Sequence, residues 1–191
     1  YMHLHKVIPT GAGLGGGSAD GAFTLRLLNN LFHLNISADK LSRYALQLGS
    51  DCPFFILNEP CFAKGQGESL EPISIDLTVY EILLVDPGIH ISTAKAFSGV
   101  STNLPKKSIY SIIQQPVSTW RIELVNDFEA AIFPQFPAIG EIKNHLYASG
   151  AIYASLTGSG SAVYGIFEKG KLPGQIFSAG YRVFHLKSTI R

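Results

Sequence analysis

The chain has 191 residues, a formal net charge of +1 and 46% hydrophobic residues, enough for one or two compact domains with a real core. Near-neutral charge speaks against a nucleic-acid or acidic-membrane footprint, and no apolar run approaches the roughly 20 residues of a membrane span. Two cysteines, Cys52 and Cys61, make neither a disulfide framework nor a metal-ligand set, which suits a cytoplasmic location.

In chain order, His3, His5 and Val7 alternate with Leu4, Lys6 and Ile8, predicting a strand that runs into Pro9. The start in mid-strand, with Met2 internal, carries the expectation of a fragment lacking its N-terminal part. His3 and His5 share a strand face but have no third ligand nearby, so an exposed edge is preferred to a metal site.

Next comes Pro9-Thr10-Gly11-Ala12-Gly13-Leu14-Gly15-Gly16-Gly17-Ser18, with five glycines between Gly11 and Gly17. Such a run is costly to order and serves best where bare backbone must approach something else. Ser18 is placed to cap a helix predicted from Ala19 to about Phe32, with Asp20 in its first turn. Free amides feeding a helix N-terminus form an anion site, and phosphate is the usual occupant. Gly11-x-Gly13-x-x-Gly16 also fits the dinucleotide fingerprint, but the acidic residue closing a second strand about 20 residues on is lacking. The Walker A pattern fails because Gly17, not lysine, follows Gly16.

Ala22, Leu25, Leu28 and Phe32 share one side of this helix, expected to dock on a sheet. A second helix, capped by Ser37, carries Leu41, Tyr44, Ala45 and Leu48 and stops at Gly49. In Gly49-Ser50-Asp51-Cys52-Pro53-Phe54-Phe55-Ile56-Leu57, Asp51 stands between that stop and a predicted apolar strand. It is either a turn-forming aspartate or a general base or metal-proximal acid. Cys52 has no base partner and reads as packing.

Further strands are predicted at Phe62–Lys64, Leu70–Ile73 and Glu81–Asp86, with a boundary near Asp76–Thr78. Ser92 or Thr93 caps a helix through Phe97. Asn103–Trp120 reads as loop with one short helix near Ser108–Gln114. Helices follow at Asn126–Phe133 and from Pro137 to the Gly150 stop. Strands at 151–156 and 161–167 flank Thr157-Gly158-Ser159-Gly160, and a last strand is predicted at 181–186. This order suits an α+β sandwich on an antiparallel sheet. The late glycine loop taken alone is a hairpin turn as readily as a binding loop.

Pro9-x-Gly11-Ala12-Gly13-Leu14-Gly15, the acid at Asp51 and Leu156-Thr157-Gly158-Ser159-Gly160-Ser161 resemble the GHMP kinases, the superfamily of galacto-, homoserine, mevalonate and phosphomevalonate kinases. Gly15-Gly16-Gly17-Ser18-x-Asp20, Gly49-x-Asp51-x-Pro53-Phe54-Phe55, Pro87-Gly88-x-x-x-Ser92-Thr93 and Asn126-Asp127-Phe128-Glu129 look like the members acting on 4-diphosphocytidyl-2-C-methyl-D-erythritol in the non-mevalonate isoprenoid pathway. The resemblance implies a two-lobed α+β fold. Residues 1–78 would be the remainder of an S5-like N-terminal ATP-binding domain, and residues 79–191 a ferredoxin-like C-terminal domain. It implies ATP with Mg²⁺, the phosphates lying on Gly13 to Ser18 within the loop Pro9, Gly11, Ala12, Gly13, Leu14, Gly15, Gly16, Gly17 and Ser18.

Asp51 would deprotonate the 2-hydroxyl. Phe97 would stack on the cytosine beside Thr93, although an ordinary core position remains open for it, and Gly158 and Ser159 would close on the substrate. The implied partner is this small molecule, with neither nucleic acid nor membrane, acted on by a monomer or homodimer. The family's first lysine and its substrate-binding histidine and asparagine would lie before Tyr1, so this chain alone is expected to be inactive or weak. The alternatives are another GHMP small-molecule kinase, such as a homoserine kinase, a non-catalytic nucleotide-binding relative and a NAD-binding domain.

Overall fold

The structure is a computed structural model and describes residues 1–100, 107–174, 176–177 and 180–187. The chain divides into two compact units, one of residues Gly15–Ser74 and one of Tyr1–Leu14 with Ile75–Arg191.

The Gly15–Ser74 unit opens with α1, Gly16–Leu31. This helix starts three residues before the expected Ala19. Gly15 is the N-cap, left-handed at φ 65°, no side chain caps the helix, and no acid lies in its first turn. Ser18 is therefore a first-turn residue and not the cap. The turn closes through the backbone, Ala19 N–H donating to the Gly15 carbonyl at 2.9 Å. Burial of Gly16, Ala19 and Ala22 outweighs the ~1 kcal/mol each helical glycine costs.

Helix α2, Ala38–Leu48, is capped by Ser37 as expected, its side chain accepting from the Lys40 N–H. The Asn29 side chain latches the α1–α2 connection, accepting from Ile36 N–H at 2.9 Å and donating to its carbonyl at 3.0 Å. The apolar run after Asp51 is not a strand but α3, Cys52–Leu57, with Pro53 in its first turn and left-handed Asn58 as C-cap. Short apolar runs are ambiguous by periodicity. Here Cys52 and Ile56, one helical turn apart, both enter a core with Ala22, Leu41 and Ala45, against which Leu25, Ile36 and Phe55 pack. The α1 face thus docks on helices rather than on a sheet, and Phe32 stays 62% exposed. Strands β1, Cys61–Lys64, and β2, Ser69–Pro72, form an antiparallel hairpin.

In the other unit, residues 1–8 are exposed and carry no strand. A segment becomes a strand only through a ladder with a neighbour, and none among the described residues pairs with it. Strand β3, Tyr80–Asp86, leads to α4, Thr93–Ser98, capped by the Ser92 side chain. Next come α5, Ile109–Ile113, and α6, Val117–Glu123. The sequence reading missed α6. Its Val117 and Trp120 are buried, and the Trp120 indole donates to the carbonyls of Ile112 and Gln115, so the helix is held by tertiary packing. The Asn103–Lys106 part of the expected loop lies outside the described residues.

Helices α7, Phe128–Gln135, and α8, Pro137–Ala148, precede β4, Tyr153–Leu156, and β5, Val163–Glu168; β6, Arg182–Lys187, completes an antiparallel sheet in the order β4-β5-β3-β6. This is an α+β fold with a ferredoxin-like strand order. Leu83, Val85, Ala154, Leu156, Val163 and Phe167 share one core with Ile132, Ile139, Ile142 and Leu146. Their alternating neighbours Tyr80, Ile82, Tyr153, Tyr164 and Ile166 share another with Ile112, Val117 and Trp120. Both faces of the sheet are covered, which explains its near-continuous apolar strands.

Candidate functional site

The first half of the glycine loop packs in the unit of the four-stranded sheet. Pro9 and Ala12 are buried. Gly11 and Gly13 have φ of 73° and 74°, a region where only glycine is at ease. Close approach is the second reason for glycine: a Cβ on Gly11 would stand 2.4 Å from the His90 ring, and one on Gly13 would stand 2.1 Å from the Thr157 carbonyl oxygen. Leu14 is half-buried.

The partner of this segment is the turn between β4 and β5. Thr157 Oγ1 donates to the Gly13 carbonyl at 2.9 Å, and the Ala162 N–H donates to the Ala12 carbonyl at 3.0 Å. Gly158, at φ 52°, has the Gly13 carbonyl oxygen 2.9 Å from where its Cβ would be. Gly158 is exposed and Ser159 half-buried, whereas Ser161 is fully buried and its hydroxyl donates to the Ile89 carbonyl. Gly11–Leu14 and the late glycine turn are thus one backbone assembly within this unit. Behind it, the Asn126 side chain donates to the carbonyls of Leu156 and Gly158 at 2.9 and 2.8 Å. Glu129, 7% exposed, accepts from the Leu156 N–H and the Ser155 hydroxyl and pairs with Lys143 at 2.5 Å.

On α4, Thr93 is the first helical residue. Phe97 is 62% exposed and meets Phe128 edge-on, with ring centroids 4.9 Å apart. At that exposure Phe97 does not occupy an ordinary core position.

The second half of the loop belongs to the helical unit. Gly15 sits under the Phe55 ring, where a Cβ would come within 2.9 Å. Gly16 is buried, Gly17 exposed and Ser18 half-buried, and a Cβ on Gly17 would meet nothing within 4 Å. The first N–H groups of a helix have no intrahelical acceptor, and those of α1 have no side-chain cap. Asp51 is exposed at the N-cap of α3, and its carboxylate makes no capping bond. Its Oδ1 lies 3.6 Å from the Cβ position of Gly67 in the β1–β2 turn. Cys52 is buried, free and beside Gly21 of α1, so its role is packing; burial pushes the other thiol, Cys61, upward in pKa.

The sequence reading attached no role to His90, Asn126, Glu129 or Thr157. Asn126 and Glu129 carried a signal only through the likeness of Asn126-Asp127-Phe128-Glu129, and Thr157 only as a member of the late glycine motif, in each case without a mechanism. Among the described residues no group of three or more His, Cys, Asp or Glu could hold a metal ion, and no helix is long and apolar enough to cross a membrane.

Family models described as GHMP kinases N terminal domain and GHMP kinases C terminal match residues 1–59 and 111–185. The chain is 53% identical to a protein of Bacteroides thetaiotaomicron named 4-diphosphocytidyl-2-C-methyl-D-erythritol kinase, over 90% of this chain and 63% of that protein. It is 56% identical to one of the same name from Azobacteroides pseudotrichonymphae, over 88% and 63%. The chain therefore spans about 63% of the length of these curated relatives. A crystal structure of 4-(cytidine 5'-diphospho)-2C-methyl-D-erythritol kinase matches with a TM-score of 0.68 and 31% identity, over 85% of this chain and 59% of that one. With its helical unit and its sheet unit each carrying a matched half, the chain belongs to the GHMP kinases.

Proposed function

We propose that the protein containing this chain is an ATP-dependent kinase that phosphorylates the 2-hydroxyl of 4-diphosphocytidyl-2-C-methyl-D-erythritol. The observation that carries the reading is the course of Gly11–Ser18: three left-handed glycines feed the uncapped N-terminus of a 16-residue helix. Unpaired amides and the helix dipole favour an anion there, and the empty space over Gly17 leaves room for phosphate oxygens. The residues fit a triphosphate. Its phosphates lie on the amides of Gly13 to Ser18, with Pro9, Gly11, Ala12 and Leu14 fixing the approach of the loop.

Asp51 is the base. Its exposed carboxylate, unused by any cap, accepts the proton of the 2-hydroxyl as that oxygen bonds to the γ-phosphorus; the bond from γ-phosphorus to the bridging oxygen breaks and ADP leaves. Magnesium, when bound, neutralises charge on the phosphates. The Ser18 hydroxyl, half-buried in the first turn of α1, is the side chain of the loop that would hold it together with the phosphates. The exposed Phe97 ring stacks on the cytosine beside Thr93, and Gly158 and Ser159 line the substrate. Residues 1–78 serve as the remainder of an N-terminal ATP-binding domain and 79–191 as the C-terminal domain, in a cytoplasmic monomer or homodimer.

The test is phosphate transfer from γ-labelled ATP to this substrate and, in parallel, to homoserine. Label on the cytidyl substrate alone is the expected result. Label on homoserine would move the assignment to another GHMP kinase, and ATP binding without transfer to either would make the protein a non-catalytic relative.

A further inference from the structure

Both carbonyls that flank Thr157 end on one side chain. Asn126 Nδ2 donates to Leu156 at 2.9 Å and to Gly158 at 2.8 Å, while its Oδ1 accepts from the Phe128 N–H at 3.0 Å. Three residues on, Glu129 takes the Leu156 N–H at 2.9 Å. Leu156 is thus gripped on both its backbone polar groups by the start of α7. Beyond that grip, Thr157 holds the Gly13 carbonyl, Ala162 holds the Ala12 carbonyl, and Gly158 lies against Gly13. On its other side, the Asn126 acceptor fixes Phe128, whose ring meets Phe97 edge-on.

We propose that Asn126 is the positioning residue that sets the late glycine loop, and through it the Gly11–Leu14 backbone, in register with the aromatic pair Phe97–Phe128. The inference rests on the ATP reading for its functional consequence, but its structural core does not. Only a primary carboxamide supplies two N–H donors and one acceptor from a single side chain of this size. Asn126→Asp keeps the shape and the acceptor toward Phe128 but turns both donors into a carboxylate facing two carbonyl oxygens.

The experiment measures backbone amide exchange without ligand, and ATP affinity, for the wild-type protein, Asn126→Asp, Asn126→Ala and Asn144→Asp, a control with the same charge change at an exposed site. Exchange at Thr157, Gly160 and Ala162 is expected to rise about tenfold or more in both Asn126 variants while the β3–β5 ladder keeps its protection. Kd for ATP is expected to rise roughly tenfold, the scale of two neutral hydrogen bonds, with Asn144→Asp like wild type. In Asn126→Asp the ratio of variant to wild-type Kd shrinks as pH falls toward 5, because protonation returns one O–H donor, whereas the ratio for Asn126→Ala, which has no group to protonate there, stays constant.

Unchanged exchange in the loop, or raised exchange with unchanged ATP affinity, overturns the inference while the kinase reading stands. A wild-type protein that binds no ATP overturns the kinase reading and, with it, the functional half of the inference.

Discussion

The hydroxyl of Thr157 reaches the carbonyl of Gly13 at 2.9 Å across 144 positions of sequence, and a Cβ on Gly13 would lie 2.1 Å from the carbonyl of Thr157. The two residues hold each other, and the glycine is required twice over, by φ and by contact. Substituting Gly13→Ala adds left-handed strain of about 1–2 kcal/mol to a backbone clash that no side chain can relieve. We expect a loss of more than about 2 kcal/mol, read by urea unfolding. Gly17→Ala is the counterpart. It lies within α1 with open space around it, so stability should rise by about 0.5–1 kcal/mol while ATP affinity falls.

Asp51 is exposed and caps nothing, so Asp51→Asn should leave the melting temperature within a degree or two of wild type. If it is the base, kcat falls by about 10²–10⁴ with ATP binding retained. Steady-state kinetics beside a binding isotherm decide this, and unchanged turnover would remove Asp51 from the chemistry.

Phe97 contributes little buried area for its size, being 62% exposed. Phe97→Ala is expected to cost the cytidyl substrate about 1–3 kcal/mol of binding, seen as a higher KM, with KM for ATP unchanged and little loss of stability. Phe97→Tyr should retain most of the affinity.

Glu129 and Lys143 form a mostly buried pair at 2.5 Å, and Glu129 also holds Leu156 and Ser155. Removing one partner leaves a buried charge without its counter-ion, so Lys143→Met should destabilise by about 3–5 kcal/mol. The double variant Lys143→Met with Glu129→Gln should recover part of that loss in the same unfolding assay.

Burial pushes the Tyr153 phenol up to about 12 from its ordinary 10, and its neighbour Tyr164 is raised in the same direction for the same reason. The folded state thus keeps protons that the unfolded chain gives up. Their contribution is full below about pH 10 and is lost as pH climbs through about 12. Alkaline unfolding should steepen in that window, and Tyr153→Phe should flatten it at the expense of the bond to the Leu124 carbonyl.

Local signals settled much of this protein. The Ser37 cap, the Gly150 stop after α8 and the apolar runs of β3, β4 and β5 are short-range chemistry, and each reads correctly from neighbours in sequence, as does the α4 cap to within the choice of Ser92 or Thr93. The left-handed turns at Gly11, Gly13 and Gly15 read from the same source, since glycine's conformational freedom is written in composition. Where an apolar segment chooses between helix and strand, or a polar tract such as Val117–Glu123 chooses helix over loop, the decision belongs to the packing partner. Cys52 and Ile56 are helical because α1 and α2 lie on one side of them, and residues 3–8 are no strand because no described strand lies beside them. The roles of Asn126, Glu129 and Thr157 were out of reach for the same reason. A hydrogen bond that spans 27 to 144 positions leaves no periodic trace, and only the folded chain brings its two ends together.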